Sequence, residues 1–428
     1  MQRFLYSFLL YLSVPFILLR LYLRSFKSPG YRQCIAERFG GFTLPANFDI
    51  KKSTIWIHAV SVGEIMAASP LVRGLLNQDS GTQIVVSCMT PTGSVRSRVL
   101  FGNSVIHSYM PYDLPGSLTR FIKKLNPNML ILMETELWPN TVHYCHSSSV
   151  KIILANARLS EKSAANYRKI ASLTKGMLRK IDFIAAQTDA DAIRLIDLGA
   201  NPERVEVTGS LKFIVDVNKA AEHEDEVFEK ISLSGRPILI AASTRLGEEE
   251  KILYAFKKCL ESSAELLLII VPRHPERFDE VTNLCEKSNF SVQRRSTTTA
   301  SFHSSDEPIQ ILIGDSMGEM LSYYRLAKIA FVGGSLVDTG CQNVLEPAAL
   351  GIPIVVGPSQ FNFATICKLL EEAGALVTVQ NEDELAMQVQ LLMANPEKQK
   401  LMADQGLAVV KRNQNALPAL LDIIKKVS

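Results

Sequence analysis

From Ile55 onward the chain alternates short β-rich runs with stretches of helical periodicity, and that alternation leaves few folds open. It is the signature of βαβ units, which build a parallel sheet covered by helices on both faces. In the first half the expected strands are Ile55–Val60, Gln83–Cys88, Met129–Met133, Lys151–Ala155, Asp182–Ala186 and Val205–Thr208. Between Asn218 and Ser234 the pattern lapses into the charged stretch KAAEHEDEVFEKIS. A second set then begins: Ile238–Ala242, Leu266–Val271, Ile309–Ile313, Ile329–Val332 and Pro353–Val356. Helical patterns without strand signals fill Glu382–Val427 and are free to wrap back across the domain junction. At 428 residues the chain suits two such domains of about 200 residues each. Open α/β sheets bind ligands at the carboxyl ends of their strands, so the active site is expected where the two sets of ends face each other. Architecture alone would equally suit dehydrogenases, epimerases or binding proteins.

The start of the chain has a different character. Phe4–Leu23 reads FLYSFLLYLSVPFILLRLYL, interrupted only by Pro15 and Arg20, and belongs in or on a bilayer. Its uninterrupted part, Phe4–Leu19, is a little shorter than the roughly 20 residues of a spanning helix, so crossing the bilayer and lying at its surface both stay open. Arg20, Arg24, Lys27, Arg32 and Arg38 follow it, which places the remaining chain on the cytoplasmic side and suits an anionic membrane surface. The formal charge of +3 gives no reason to expect nucleic acid as partner. Seven cysteines, scattered and without a C-x-x-C, fit reduced thiols rather than a disulfide framework or structural zinc.

Several strand ends carry chemistry. The run Ile55–Val60 leads directly into Ser61-Val62-Gly63-Glu64 and an apolar helix. A carboxylate at that position can deprotonate an incoming hydroxyl, although a glutamate capping the helix would look the same in sequence. Met133-Glu134-Thr135-Glu136-Leu137-Trp138-Pro139-Asn140 follows another strand, and Lys212 follows the turn Gly209-Ser210. In the second half, Val271-Pro272-Arg273-His274-Pro275, Gly314-Asp315-Ser316-Met317-Gly318-Glu319-Met320, and Phe331-Val332-Gly333-Gly334-Ser335 with Gly340-Cys341-Gln342-Asn343-Val344-Leu345-Glu346-Pro347 lie at successive strand ends. Three helix starts in succession suit a nucleotide, with Arg273 for a phosphate and Glu346 for ribose hydroxyls. Ser243-Thr244-Arg245 offers hydroxyls and a cation to an acidic sugar. Asp189-Ala190-Asp191 looks like a metal-binding D-x-D, but with no second ligand cluster it reads as a helix cap. His143 and His146 read as surface residues.

In order along the chain, SVGE, METELWPN, GSLKF, ASTRLGEE, VPRHPERF, GDSMGEM and QNVLEPAALGIP resemble the transferases of 3-deoxy-D-manno-octulosonic acid (Kdo) in Gram-negative lipopolysaccharide synthesis. The resemblance implies a GT-B glycosyltransferase of two Rossmann-like domains with a membrane-associated N-terminal helix. The domains it suggests are an anchor at 1–27, an acceptor domain at 28–217 and a donor domain at 218–428. It further implies inverting transfer of Kdo from CMP-Kdo to the 6'-hydroxyl of a lipid A precursor, without cofactor or bound metal, and often a second addition. Carried onto matching positions, Glu64 would be the general base, and Glu134 and Lys212 would stabilise the transition state. Pro272, Arg273, Met317 to Glu319 and Asn343 to Glu346 would bind CMP-Kdo. Two positions depart from the pattern: Gln342 stands where histidine is usual, and Ser210 where asparagine is common. The competing readings are another GT-B transferase or a sugar-nucleotide epimerase, and a membrane-anchored binding protein that would not depend on Glu64.

Overall fold

The computed structural model describes residues 2–46, 48–78, 81–217, 226–297 and 308–428. It divides into two compact units, Met1–Ile214 with Asn413–Ser428, and Val215–Arg412.

The first unit is built on seven parallel strands, β1 (Thr54–His58), β2 (Gln83–Cys88), β3 (Ile106–Tyr109), β4 (Met129–Met133), β5 (Lys151–Ala157), β6 (Phe183–Ala186) and β7 (Val205–Val207). Their order is β3-β2-β1-β4-β5-β6-β7. Alternate side chains of each strand enter opposite layers, as the pleat requires. Trp56, Leu130, Leu132, Ile152 and Leu154 join one cluster, while Ile55, Ile57, Ile131, Met133 and Ile153 join the other. Both faces are thus covered, which explains why TIWIH and MLILM carry so little polarity. The buried Trp56 indole is satisfied by donating to Ser87 Oγ at 2.7 Å.

The second unit repeats the plan with β8 (Ile238–Thr244), β9 (Leu267–Pro272), β10 (Val292–Arg294), β11 (Ile311–Ile313), β12 (Ile329–Val332), β13 (Ile354–Val356) and β14 (Leu376–Thr378), in the order β10-β11-β9-β8-β12-β13-β14. Again every pairing is parallel.

Each expected strand is present to within two residues at either end. Three further strands, β3, β10 and β14, were not expected. All three sit at sheet edges and have three or four residues. An edge strand is half covered and needs no long apolar run, so its sequence does not separate from that of a loop.

The grouping of the chain departs from the expected 1–27, 28–217 and 218–428. Contacts divide it between Ile214 and Val215, and residues 218–225 of the charged stretch lie outside the described residues. The N-terminal helix α1 (Gln2–Lys27), which continues through Pro15, is counted within the first unit. The last helix, Ala416–Val427, also returns to the first unit. Ala416, Leu420, Ile423 and Ile424 pack into the same layer as Ile65, Leu71 and Leu75 of the helix Val62–Gln78. Gly74 leaves the space for this crossing, since a Cβ there would stand 3.2 Å from Leu421 Cδ1.

Candidate active site

In an open parallel sheet the ligand site forms where strand order reverses, because the loops leaving the two central strands diverge to opposite faces. In the first sheet that point lies between β1 and β4, and in the second between β8 and β12. Glu64 follows β1 and Glu134 follows β4. Ser243 to Arg245 closes β8, and the turn Gly333-Gly334-Ser335 follows β12.

Glu64 stands in the first turn of the helix Val62–Gln78 and is 9% exposed. Its Oε2 accepts from Val60 N at 2.8 Å and its Oε1 from Ser61 Oγ at 3.0 Å. It therefore does act as a cap, as the alternative reading required. It is also held near neutrality. Burial pushes its carboxyl up to about 7, against the pull of the Val60 N–H, and the charges of Glu136 and Glu134 add to the rise. A carboxyl with that affinity exists in both protonation states at physiological pH, which suits proton transfer.

Glu134 has a left-handed backbone, φ 54°, a conformation that non-glycine residues adopt at a cost and that recurs at functional sites. The turn is fixed by Glu134 N donating to Ala155 O at 2.9 Å and by Thr135 Oγ1 donating to Arg158 O at 2.6 Å. Glu136 is turned to the Trp138 indole, which donates to it at 2.8 Å. The Glu134 carboxylate meets Lys212 Nζ at 2.9 Å, with both groups partly open to solvent. Lys212 comes from a short 3-10 turn, Leu211–Phe213, started by Ser210. Glu64, Glu134 and Lys212, far apart in sequence, are thus assembled in one unit. The residue that holds the lysine turn in place was not singled out from sequence. Asn156, buried and also left-handed at φ 53°, accepts from Leu211 N at 3.0 Å and so holds the lysine turn against the end of β5. A lone asparagine in a β-rich run carries no visible signal.

In the second unit, Arg273 N donates to Thr244 O at 3.1 Å, so the ends of β8 and β9 are stitched together. Arg245 is hydrogen-bonded to His274 across the same junction. Thr244 is fully buried and its hydroxyl has no partner, which leaves Ser243, at φ 58°, and Arg245 as the members of that trio open to a ligand. Arg273 is exposed, and its charge reaches Glu346. Burial raises the Glu346 carboxyl, while the Asn343 amide and Arg273 oppose the shift. Pro272, Val344 and Leu345 are buried and offer a ligand only their backbone. Glu319 is committed internally, accepting from Arg295 Nη2 at 3.0 Å and Tyr323 OH at 3.1 Å. At that loop the exposed groups are Met317 and the backbone of Gly318, whose φ is 95°.

Glu248, also not singled out, organises the turn after β12. Its carboxylate is fully buried and accepts from Gly334 N at 2.7 Å, Ser335 N at 3.0 Å and Leu336 N at 2.9 Å. Gly333 is required beside it, because a Cβ would lie 2.8 Å from Glu248 Oε2 and 2.7 Å from Ser243 O. Replacing Glu248 with Ala leaves three buried N–H groups without their acceptor and is expected to cost about 3 kcal/mol, a loss that thermal unfolding will show. Glu248→Gln, which keeps one acceptor oxygen, should lose less.

The D-x-D at 189–191 opens the helix Asp189–Asp197, but its cap is Thr188, and Asp191 accepts from Leu159 N at 2.8 Å. Among the described residues no cluster of three His, Cys, Asp or Glu is placed to hold a metal ion. His143 is paired with Lys180 Nζ at 2.8 Å.

Known proteins show the same two-part plan. The family model described as 3-deoxy-D-manno-octulosonic-acid transferase (kdotransferase) matches residues 33–215, and that of group 1 glycosyl transferases matches residues 225–408. A 3-deoxy-D-manno-octulosonic acid transferase of Haemophilus influenzae is 41% identical over 99% of this chain and 98% of its own. One from Bordetella pertussis is 33% identical over 99% of both chains. The chain belongs to the 3-deoxy-D-manno-octulosonic acid transferase family. It is a glycosyltransferase with a GT-B-like fold. A solved glycosyltransferase from Rickettsia africae matches it with a TM-score of 0.56 at 15% identity, covering 88% of this chain and 98% of the other, a likeness of fold. At the position where the resemblance has histidine, this Kdo transferase family member has Gln342, its Nε2 donating to Gly340 O of the same loop at 3.1 Å. Ser210 supplies the cap of the lysine turn.

Proposed function

We propose that the chain transfers Kdo from CMP-Kdo to the 6'-hydroxyl of lipid IVA, the lipid A precursor, with inversion and without metal or cofactor, in lipopolysaccharide core synthesis. Further Kdo addition follows where the first product fits as acceptor. The single observation that carries the reading is Glu64. It stands at the reversal point of the first sheet with its carboxyl near 7, beside Glu134 and Lys212, in a chain of this family.

In this reading Glu64 takes the proton of the acceptor hydroxyl as that oxygen bonds to the anomeric carbon of Kdo. The bond from that carbon to the phosphate breaks, and CMP leaves with the electron pair. Lys212 and Glu134 are oppositely charged neighbours suited to a transition state with negative charge growing on phosphate and positive character on the sugar. Arg273 pairs with the phosphate and Glu346 with ribose hydroxyls, and the backbone of Met317, Gly318, Val344 and Leu345 completes the nucleotide site. Ser243 and Arg245 contact the sugar acid. The apolar α1 holds the chain at the inner membrane, with the catalytic units on the cytoplasmic side, where tethering raises the effective concentration of a lipid acceptor.

The test is a transfer assay in EDTA with freshly made CMP-Kdo and tetra-acylated lipid A precursor, read by mass. Products heavier by one or more Kdo units are expected, and none from UDP-sugars. A folded enzyme that turns over only a UDP-sugar, or needs a divalent ion, would sink the reading.

A further inference from the structure

By length and composition α1 is able to cross a membrane, yet one narrow face of it is set against the unit that follows it. One stripe, Ser7, Leu10, Val14, Ile17, Leu21 and Ser25, recurs every three or four residues and is buried or half-buried. The opposite side is bare, with Phe4 72%, Phe8 60%, Phe16 73% and Leu23 58% exposed.

The covered stripe is pinned by polar contacts near the helix start. Arg3 Nη1 donates to Asn140 Oδ1 at 3.1 Å, and Asn140 Nδ2 donates to Ser7 Oγ at 2.9 Å. Tyr6 OH donates to Asp113 Oδ2 at 2.9 Å, and Gly116 N donates to Tyr11 OH at 3.2 Å. These partners belong to the catalytic unit itself. Asp113 is buried and accepts from Asn140 N at 3.0 Å and Thr141 N at 2.6 Å, capping the helix Pro139–Ser147 that begins directly after the Glu134 to Trp138 turn. Beyond the other end of α1, Arg38 is buried, and its carbonyl accepts from Tyr112 N at 2.8 Å. The loop from Tyr112 to Gly116 therefore touches both the beginning of α1 and the chain that leaves its end.

We propose that α1 lies lengthwise in the boundary of an anionic bilayer, with both ends on the side of the catalytic carboxylates, and does not cross the membrane. A 26-residue helix is about 39 Å long, enough to traverse a hydrocarbon layer of about 30 Å. Crossing would carry Arg3 to the far side, and Asp113, Asn140 and the capped helix start would have to follow it into hydrocarbon or lose every one of these bonds. Lying flat instead keeps the polar pins against protein, sinks the bare Phe and Leu face, and leaves Arg20 and Arg24 at headgroup level. The inference rests on the membrane attachment proposed above and adds its topology.

The experiment uses the full-length chain in sealed inner-membrane vesicles of both orientations, with a membrane-impermeant maleimide. Cys34 is exposed and the other six cysteines are buried, so native labelling at Cys34 marks the catalytic side. In a Cys34→Ser background, Gln2→Cys is expected to react from that same side alone, and Phe16→Cys only after detergent is added. Reaction of Gln2→Cys from the opposite side, or none from either side before detergent, overturns the proposal. So does reaction of Phe16→Cys without detergent. If high-salt washing releases the chain from the vesicles, the attachment reading itself fails, whatever the labelling pattern.

Discussion

Glu64→Gln is expected to slow Kdo transfer about a thousandfold while making the protein more stable above neutral pH. The first effect follows from removing a general base, which contributes roughly a hundred to ten thousandfold. KM for CMP-Kdo should change little, because the substitution leaves Arg273 and Glu346 untouched. The second effect follows from linkage. Burial raises the folded carboxyl of Glu64 to about 7, above its ordinary value of 4.5. A carboxyl raised by folding contributes stability at low pH that is lost as pH climbs through the folded value. By pH 8.5 the ionised, buried Glu64 costs about 3 kcal/mol, and a glutamine does not ionise. Gln still accepts from the Val60 N–H, so the cap survives. Melting curves at pH 5 and pH 8.5 should show wild type and variant close at the acid end and the variant higher at the alkaline end. For wild type, kcat/KM should rise through about pH 7 as Glu64 loses its proton. A variant of full activity, or a flat profile below pH 8, would remove Glu64 from the chemistry and leave it a cap.

Lys212→Met is the second large effect, expected at about a hundredfold to a thousandfold on kcat, the range for losing one electrostatic group aimed at developing charge. Methionine keeps most of the stem's packing but leaves the Glu134 carboxylate, 2.9 Å from the lost ammonium, without its cation. The added negative charge so near Glu64 should also move the rising limb of the pH profile upward. That shift separates an electrostatic role from mere tethering of the 3-10 turn, which would lower activity at every pH alike. Lys212→Arg should restore much of the loss, since it returns the charge.

The architecture was readable because its central strands are long apolar runs, and MLILM between turn residues admits little else. Of the four edge strands only β7 was readable, since IHSY and VQR look like loop. Glu64 and Glu134 were visible as carboxylates directly after strands, and the resemblance to a family gave them roles. What the sequence hides is support exerted through the backbone. Asn156 acts through one amide of the lysine turn, and Glu248 through three amides of the turn after β12. Neither side chain differs, as a letter in a string, from ordinary surface residues. Equally hidden are the partners of Glu319, which accepts from Arg295 and Tyr323.

The return of the helix Ala416–Val427 to the first unit gives the order of synthesis a bearing on folding. Ile65, Leu71 and Leu75 emerge from the ribosome early, but their cover is made only after Val215–Arg412, an interval of roughly 10 to 40 seconds at common translation rates. Through that interval the back of the helix bearing Glu64 is an uncovered apolar stripe on a nascent chain whose leading segment is itself apolar. Early delivery of α1 to the bilayer would shelter one sticky surface, but the other waits for the last helix, so truncations before Ala416 should aggregate rather than yield a working first unit.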